Sequence, residues 1–255
     1  MDFYEEVLMR LDSNARNHVL KATAKAFMDA SLKSRYSYNF FWLGRPIIQY
    51  PQDIVAVQEI IWAVKPDLII ETGVAHGGSL TLSASMLALL DMCEAVEKGV
   101  VYDARASWRR VIGIDIEIRS HNRVAIEAHP LSVLIHTIEG SSVSPEIIEK
   151  VYEIARQHQR IMVFLDSNHT HEHVLAELNA YAPLVSVGSY CVVFDTIIED
   201  MPPGSFPDRP WDKGNNPRTA VLEFLKNHPE FEIDRNIMNK LLVTVAPDGY
   251  IKRVY

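Results

Sequence analysis

At 255 residues the chain is long enough to bury one large core, and 48% hydrophobic with 23% charged residues suits a water-soluble globule. A net charge of −8 leaves no basic footprint for a nucleic-acid backbone, and no apolar run approaches the ~18 residues that span a bilayer, so neither nucleic acid nor membrane is expected as a partner. Cys93 and Cys191 stand far apart without a CxxC spacing, which excludes a disulfide framework and a structural zinc site.

The first residues, MDFYEEVLMRLDSNARN, place acids early and no basic stretch ahead of an apolar one. They do not read as a secretory signal, and the chain is expected in the cytoplasm. From Asp2 to about Lys33, apolar residues such as Phe3, Val7, Leu8 and Leu11 recur at three- and four-residue spacing. This predicts one or two amphipathic helices, an appendage of residues 1–35 ahead of a main domain of residues 36–255. Residues 34–52 lose the period and crowd aromatics around Gly44-Arg45-Pro46, as a structured loop does. Asp53 is placed to cap a helix reaching Val64, and Lys65-Pro66-Asp67 ends it before the apolar run Leu68-Ile69-Ile70, a buried parallel strand.

Further strands are predicted at Val111–Asp115, Val133–Ile138, Ile161–Asp166 and Tyr190–Asp195, with helices near 79–90, 119–128, 145–157 and 171–180. Such alternation specifies an α/β, Rossmann-like, doubly wound and mostly parallel sheet with helices on both faces. Beyond residue 217 the expected order is a helix over Thr219–Asn227, strands over Phe231–Ile233 and Leu241–Ala246, a turn at Asp248-Gly249 and a closing strand from Tyr250. Residues 91–109 lengthen the first helix-to-strand link, and the Pro/Gly-rich stretch 199–216 stands where a lid over the active site would lie.

Ligands of open α/β sheets bind beyond the carboxyl ends of the strands. Those ends carry Glu71, Asp115, Glu139-Gly140-Ser141-Ser142, Asp166-Ser167-Asn168-His169 and Asp195-Thr196. The turn Gly73-Val74-Ala75-His76-Gly77-Gly78-Ser79 nearly matches the dinucleotide fingerprint G-x-G-x-x-G. Glu71 directly before it would repel a pyrophosphate but suits the sulfonium and ammonium of S-adenosylmethionine. Gly73, Ala75 and Gly77 let the backbone approach that ligand, while Ser79 and the helix amides hold its carboxylate. Asp115 is placed to accept from the ribose hydroxyls, and Ser141 is a further contact to the cofactor.

Asp166 and Asp195 are hard oxygen ligands which, with Thr196 or Asn168, water and substrate oxygens, suit Mg²⁺ or Mn²⁺. In the run His169-x-His171-x-His173 the three side chains leave a helix entry in different directions, a poor three-histidine site. His169, nearest the strand end, is the candidate general base or ligand-shell residue. His171 and His173 read as surface or packing residues.

These residues resemble the cephalosporin hydroxylase family, itself similar to rhamnosyl O-methyltransferases and, more distantly, to metal-dependent catechol-type O-methyltransferases. The strings KPDLIIETGVAHGGS, IGIDIEIR, LDSNHTHEHVLAELNAYAPLV and GSYCVVFDT carry the likeness, over about residues 36–254. The resemblance implies a class I methyltransferase fold, with Asp166 and Asp195 as the metal ligands of the fourth and fifth strands. Relatives often show an acidic pair at the second of these positions, whereas Phe194 precedes Asp195 here, which leaves the third ligand open. The implied reaction is O-methylation of a hydroxyl on a sugar, a glycan or a sugar-containing natural product. Trp211, Tyr38 and Trp42 are candidate stacking surfaces, and Arg45 or Lys213 a candidate anionic anchor. Two rivals are an iron-dependent oxygenase, as the family name suggests, and a non-catalytic module that only binds S-adenosylmethionine. A homo-oligomer is compatible with everything in the sequence.

Overall fold

The computed structural model describes residues 2–255. Two N-terminal helices, α1 (Phe3–Arg16) and α2 (His18–Lys33), precede a two-stranded ribbon of β1 (Phe40–Trp42) and β2 (Arg45–Ile47). The ribbon leads into α3 (Pro51–Val64). Then come β3 (Leu68–Thr72), α4 (Gly78–Lys98), β4 (Arg110–Asp115), α5 (Ser120–Glu127), β5 (Ile135–Glu139) and α6 (Pro145–Ala155). They are followed by β6 (Ile161–Leu165), α7 (His171–Tyr181), β7 (Tyr190–Val193), α8 (Pro217–Asn227), β8 (Phe231–Ile233), α9 (Arg235–Leu241) and β9 (Tyr250–Arg253).

The last seven strands form one sheet in the order β5-β4-β3-β6-β7-β9-β8. The pairings from β5 through β7 are parallel, and β9 lies antiparallel to both β7 and β8. Every residue of β3 and of β6 is buried, as expected of central strands covered on both faces. Alternate side chains feed two cores. Ile69, Val111, Met162 and Val192 join the layer of α3 and α4, while Leu68, Ile70, Ile112 and Val163 join that of α6, α7 and α8. The strand order reverses between β3 and β6, where an open sheet leaves a crevice.

Local chemistry accounts for the helix ends. A reciprocal capping box between Asp2 and Glu5 starts α1, and Asn216 caps α8 through the amides of Arg218 and Thr219. Gly77 and Gly99 bracket α4, both in the left-handed region. At 21 residues α4 is long and apolar enough to cross a membrane by composition, yet its first half is almost wholly buried against the sheet. It also runs well past residue 90, absorbing the front of the stretch read as an insertion. The remainder is tied down by Arg109, buried and ion-paired to Asp91 and Glu94.

Two local expectations fail, for one shared reason. Asp53 is not a cap: Pro51 opens α3 after Tyr50, and Asp53 lies inside the helix, fully buried. Residues 241–246 are not a strand but the end of α9 and an irregular segment, in which Leu242 adopts φ 58°. The backbone donor of Val245 goes to the Asp53 carboxylate at 3.0 Å and that of Ala246 to the Thr244 hydroxyl at 2.9 Å, so no ladder is available to it.

Candidate active site

The glycine turn after β3 is held by its neighbours more than by itself. Asp115, ending β4, accepts from the amides of Val74 at 2.8 Å and Ala75 at 3.3 Å. Asn122 on α5 donates to Ala75 O at 2.9 Å, and Arg45 on β2 bonds His76 O through two guanidinium nitrogens. Arg45 is thereby spent on the turn and is not free as an anionic anchor. Gly73 has φ +89°, and a Cβ there would stand 2.1 Å from Asp166 O. Its small size therefore lets two neighbouring strand ends approach closely, and Gly73 also lines a cavity beside them. Gly77 is comparably pinned, with Ile126 filling the space a side chain would need.

Two cavities meet above this turn. An outer one is lined by residues that include Gly73, Ala75, Ser79, Gln49 and Asp166. An inner one shares Gln49, Ser79 and Asp166 and adds Glu71, Asp53 and Phe194. No Lys or Arg lines either. Glu71 is buried and takes the Ser79 hydroxyl on Oε1, while Oε2 has no partner. Burial pushes its pKa up to about 8, against which the Ser79 bond works. A buried, half-satisfied carboxylate in a cleft without Lys or Arg fits a cationic ligand.

At the ends of β6 and β7, Asp166, His169 and Asp195 bring one ligand atom each within 4.8 Å of one another. His169 Nε2 lies 3.1 Å from Asp195 Oδ2, and its ring meets the edge of Trp211 at 4.6 Å between centroids. The 199–216 stretch thus does reach over the strand ends. It is tied down by Glu199, which accepts from Gly214 N at 2.8 Å and Asn216 Nδ2 at 2.5 Å. Burial first, then the Asp195 and Glu71 carboxylates, hold the Asp166 carboxyl well above the ordinary range. Gln49 donates to Asp166 Oδ2 at 3.3 Å. The aromatic-rich segment 34–52 offers itself as core packing or as a wall for a cofactor or substrate, but no signal within it singles out Gln49.

Other expected site residues sit elsewhere. Thr196 is fully buried and donates its hydroxyl to Pro247 O at 2.6 Å, directly after Asp195, which adopts φ 54°. Ser141 lies in the turn after β5, its carbonyl accepting from Ser144 N at 3.0 Å, and lines neither cavity. Trp42 donates its indole to Ser85, and Tyr38 is exposed. His171 bonds Thr219 at 2.8 Å and His173 packs beside Glu177, both away from the acid pair.

Sheet order, reversal and an acid-lined crevice define a class I, S-adenosylmethionine-dependent methyltransferase. The chain belongs to the rhamnosyl O-methyltransferase/CmcI family, whose model matches residues 34–254. It is 29% identical over 205 residues to a rhamnosyl O-methyltransferase of Mycobacterium bovis, covering 79% of this chain and 73% of that one. The Mycobacterium leprae rhamnosyl O-methyltransferase is 28% identical over 214 residues, covering 83% and 82%. In fold it is similar to CmcI with magnesium and S-adenosylmethionine, at a TM-score of 0.55 and 17% identity over 86% of this chain and 78% of that one. CmcI with S-adenosylhomocysteine gives 0.55 and 18% over 85% and 83%.

Proposed function

We propose that the chain transfers the methyl group of S-adenosylmethionine to a hydroxyl of a sugar or sugar-containing natural product, with Asp166, His169 and Asp195 holding a divalent cation. The observation that carries this reading is the convergence of those three side chains beside the buried, unpartnered Glu71 carboxylate oxygen. Two converging carboxylates repel unless a cation neutralises them, and two oxygens with one imidazole suit Mg²⁺ or Mn²⁺. The set also reverses the composition of the two-histidine, one-carboxylate site of iron oxygenases.

Glu71, with Ser79, receives the donor's ammonium, and the turn of Gly73, Ala75 and Gly77 shapes its bed. Asp115 holds that turn through Oδ2 and accepts from Glu117 N on Oδ1 at 3.2 Å, and the ribose hydroxyls would be its further donors. Ser141 stays a candidate contact at the β5 end. When bound, the cation supplies a Lewis acid that lowers the pKa of an acceptor hydroxyl. Gln49 orients Asp166, and Trp211 fixes the ring of His169, so the donor set is preformed. Residues 1–35 act as an appendage to the catalytic domain 36–255: α1 rests on α9, where Asn14 donates to Asn239 O, and Ser31 on α2 bonds Tyr50 at 2.8 Å. The sugar acceptor follows the names of the relatives.

Titration calorimetry against S-adenosylmethionine, NADH and 2-oxoglutarate tests the reading. Binding of S-adenosylmethionine alone is expected. Binding of 2-oxoglutarate with Fe²⁺ would replace it by the oxygenase reading, and binding of NADH by a dinucleotide site.

A further inference from the structure

Asp195 is a non-glycine residue in the left-handed region, at φ 54° and ψ 21°, a sparsely populated conformation that Asp enters more readily than most and that its surroundings hold. Three hydrogen bonds bracket it. Val193 N donates to Gly249 O at 2.8 Å, Thr196 Oγ1 to Pro247 O at 2.6 Å and Ile197 N to Val245 O at 3.1 Å. All three acceptors lie within residues 245–249, which form no ladder of their own there. Both ends of that segment are fastened to one side chain. Asp53 Oδ1 accepts from the Thr244 hydroxyl at 2.5 Å and the Tyr250 hydroxyl at 2.7 Å, and Oδ2 from Val245 N at 3.0 Å.

The choice of a carboxylate is informative. All three partners donate, and an ionised Asp is the short side chain that only accepts. Asn would either set its NH₂ group against the Val245 amide or turn it to the two hydroxyls, which would then have to accept where they now donate. Asp53 is 0% exposed and has no basic partner, so its burial is unfavourable and is offset only by these bonds. Gly249 completes the fit, since a Cβ there would meet Val193 O at 2.1 Å.

We propose that Asp53 is a positioning residue for Asp195, setting its carboxylate against Asp166 and His169 through the 244–250 segment. This rests on the reading of Asp195 as a metal ligand. Asp53 also lines the inner cavity, but both its carboxylate oxygens are taken up by Thr244, Val245 and Tyr250, so it acts on Asp195 through that segment. Its role is to keep the strand-end acid in the one backbone conformation that turns it toward the other two ligands.

The test measures Mn²⁺ binding by electron paramagnetic resonance and S-adenosylhomocysteine binding by calorimetry, in full-length protein carrying Asp53→Asn, Thr196→Val or Asp195→Asn. Asp53→Asn breaks the anchored end of the clamp, and Thr196→Val removes one bracket beside Asp195 at nearly constant volume. Both are expected to weaken Mn²⁺ by about tenfold or more, the scale of lost outer-shell support, with S-adenosylhomocysteine affinity within about twofold of wild type. A mere loss of packing would lower both affinities together, and that result overturns the proposal. Wild-type Mn²⁺ affinity in folded Asp53→Asn and Thr196→Val, alongside its loss in Asp195→Asn, also overturns it while leaving the metal site standing. Undiminished Mn²⁺ binding in Asp195→Asn removes the metal reading of Asp195 and the clamp with it. If Asp53→Asn does not fold, Thr196→Val decides by the same criteria.

Discussion

Ser79, in the first turn of α4, donates its hydroxyl to Glu71 at the end of β3 and leaves the second carboxylate oxygen buried without a partner. The pair reads as a half-built cation site, its other half supplied by the donor. Glu71→Gln keeps an acceptor for Ser79 and removes the charge. It is expected to weaken S-adenosylmethionine by about 1–3 kcal/mol in calorimetry, the range for a hydrogen bond to a charged group. Unchanged affinity would move the ammonium elsewhere.

The same burial sets a pH dependence. Glu71 is pushed up to about 8 and Asp53 to about 6, both above the ordinary carboxylate range, so the folded state binds more protons than the unfolded one between about pH 4.5 and 8. Their contribution is present at low pH and is lost as pH rises through those values. With donor and metal removed, the Tm should fall from about pH 5 to about pH 8.5, and Glu71→Gln should flatten the upper part of that fall. An equal slope in the variant would show that Glu71 is ionised in the folded protein throughout.

Gly73→Ala should destabilise the fold itself. The new Cβ meets Asp166 O at 2.1 Å, on a residue at φ +89°. Overpacking and backbone strain together should cost roughly 2 kcal/mol or more in urea denaturation. Gly188→Ala, at φ +82° with nothing near its Cβ, carries only the backbone part, about 1 kcal/mol. Equal losses in the two would contradict the close approach of the carboxyl ends of β3 and β6.

Asp115 holds the amides of Val74 and Ala75, so Asp115→Ala should lower both stability and S-adenosylhomocysteine affinity, each by about 1–3 kcal/mol. A loss of affinity alone would mean that the carboxylate serves the ribose and not the turn.

Trp211 touches the His169 ring from the 199–216 loop. Trp211→Ala should reduce kcat and Mn²⁺ affinity by about tenfold, with donor affinity little changed. Parallel losses in both affinities would make Trp211 a general support of the cleft.

What the sequence made legible follows from the range of the interactions involved. β3 and β6 announce themselves because central parallel strands are apolar throughout, and the strand-end acids Glu71, Asp115, Asp166 and Asp195 follow from strand position alone. Asp53 was misread because a cap signal is local, whereas its partners lie more than 190 positions on. The run Leu241–Ala246 has strand composition, yet its backbone is claimed by Asp53 and by Ile197. Thr196 followed Asp195 in the expected ligand set, yet its hydroxyl donates to Pro247 O directly after the left-handed turn at Asp195, and no sequence signal marks that turn.

The most direct measurement of the central claim is transfer of a labelled methyl group from S-adenosylmethionine to a rhamnoside, in protein stripped with EDTA and then resupplied with Mg²⁺ or Mn²⁺. Asp166 and Asp195 converge with His169 and no Lys or Arg lines the cleft, so under the proposed reading a bound cation activates the acceptor hydroxyl. Transfer should stop in EDTA, return with either ion, and stay reduced by orders of magnitude in Asp166→Asn whatever ion is added. Full transfer in excess EDTA, with Asp166→Asn as active as the wild type, would contradict the metal-assisted mechanism and leave His169 as the sole base.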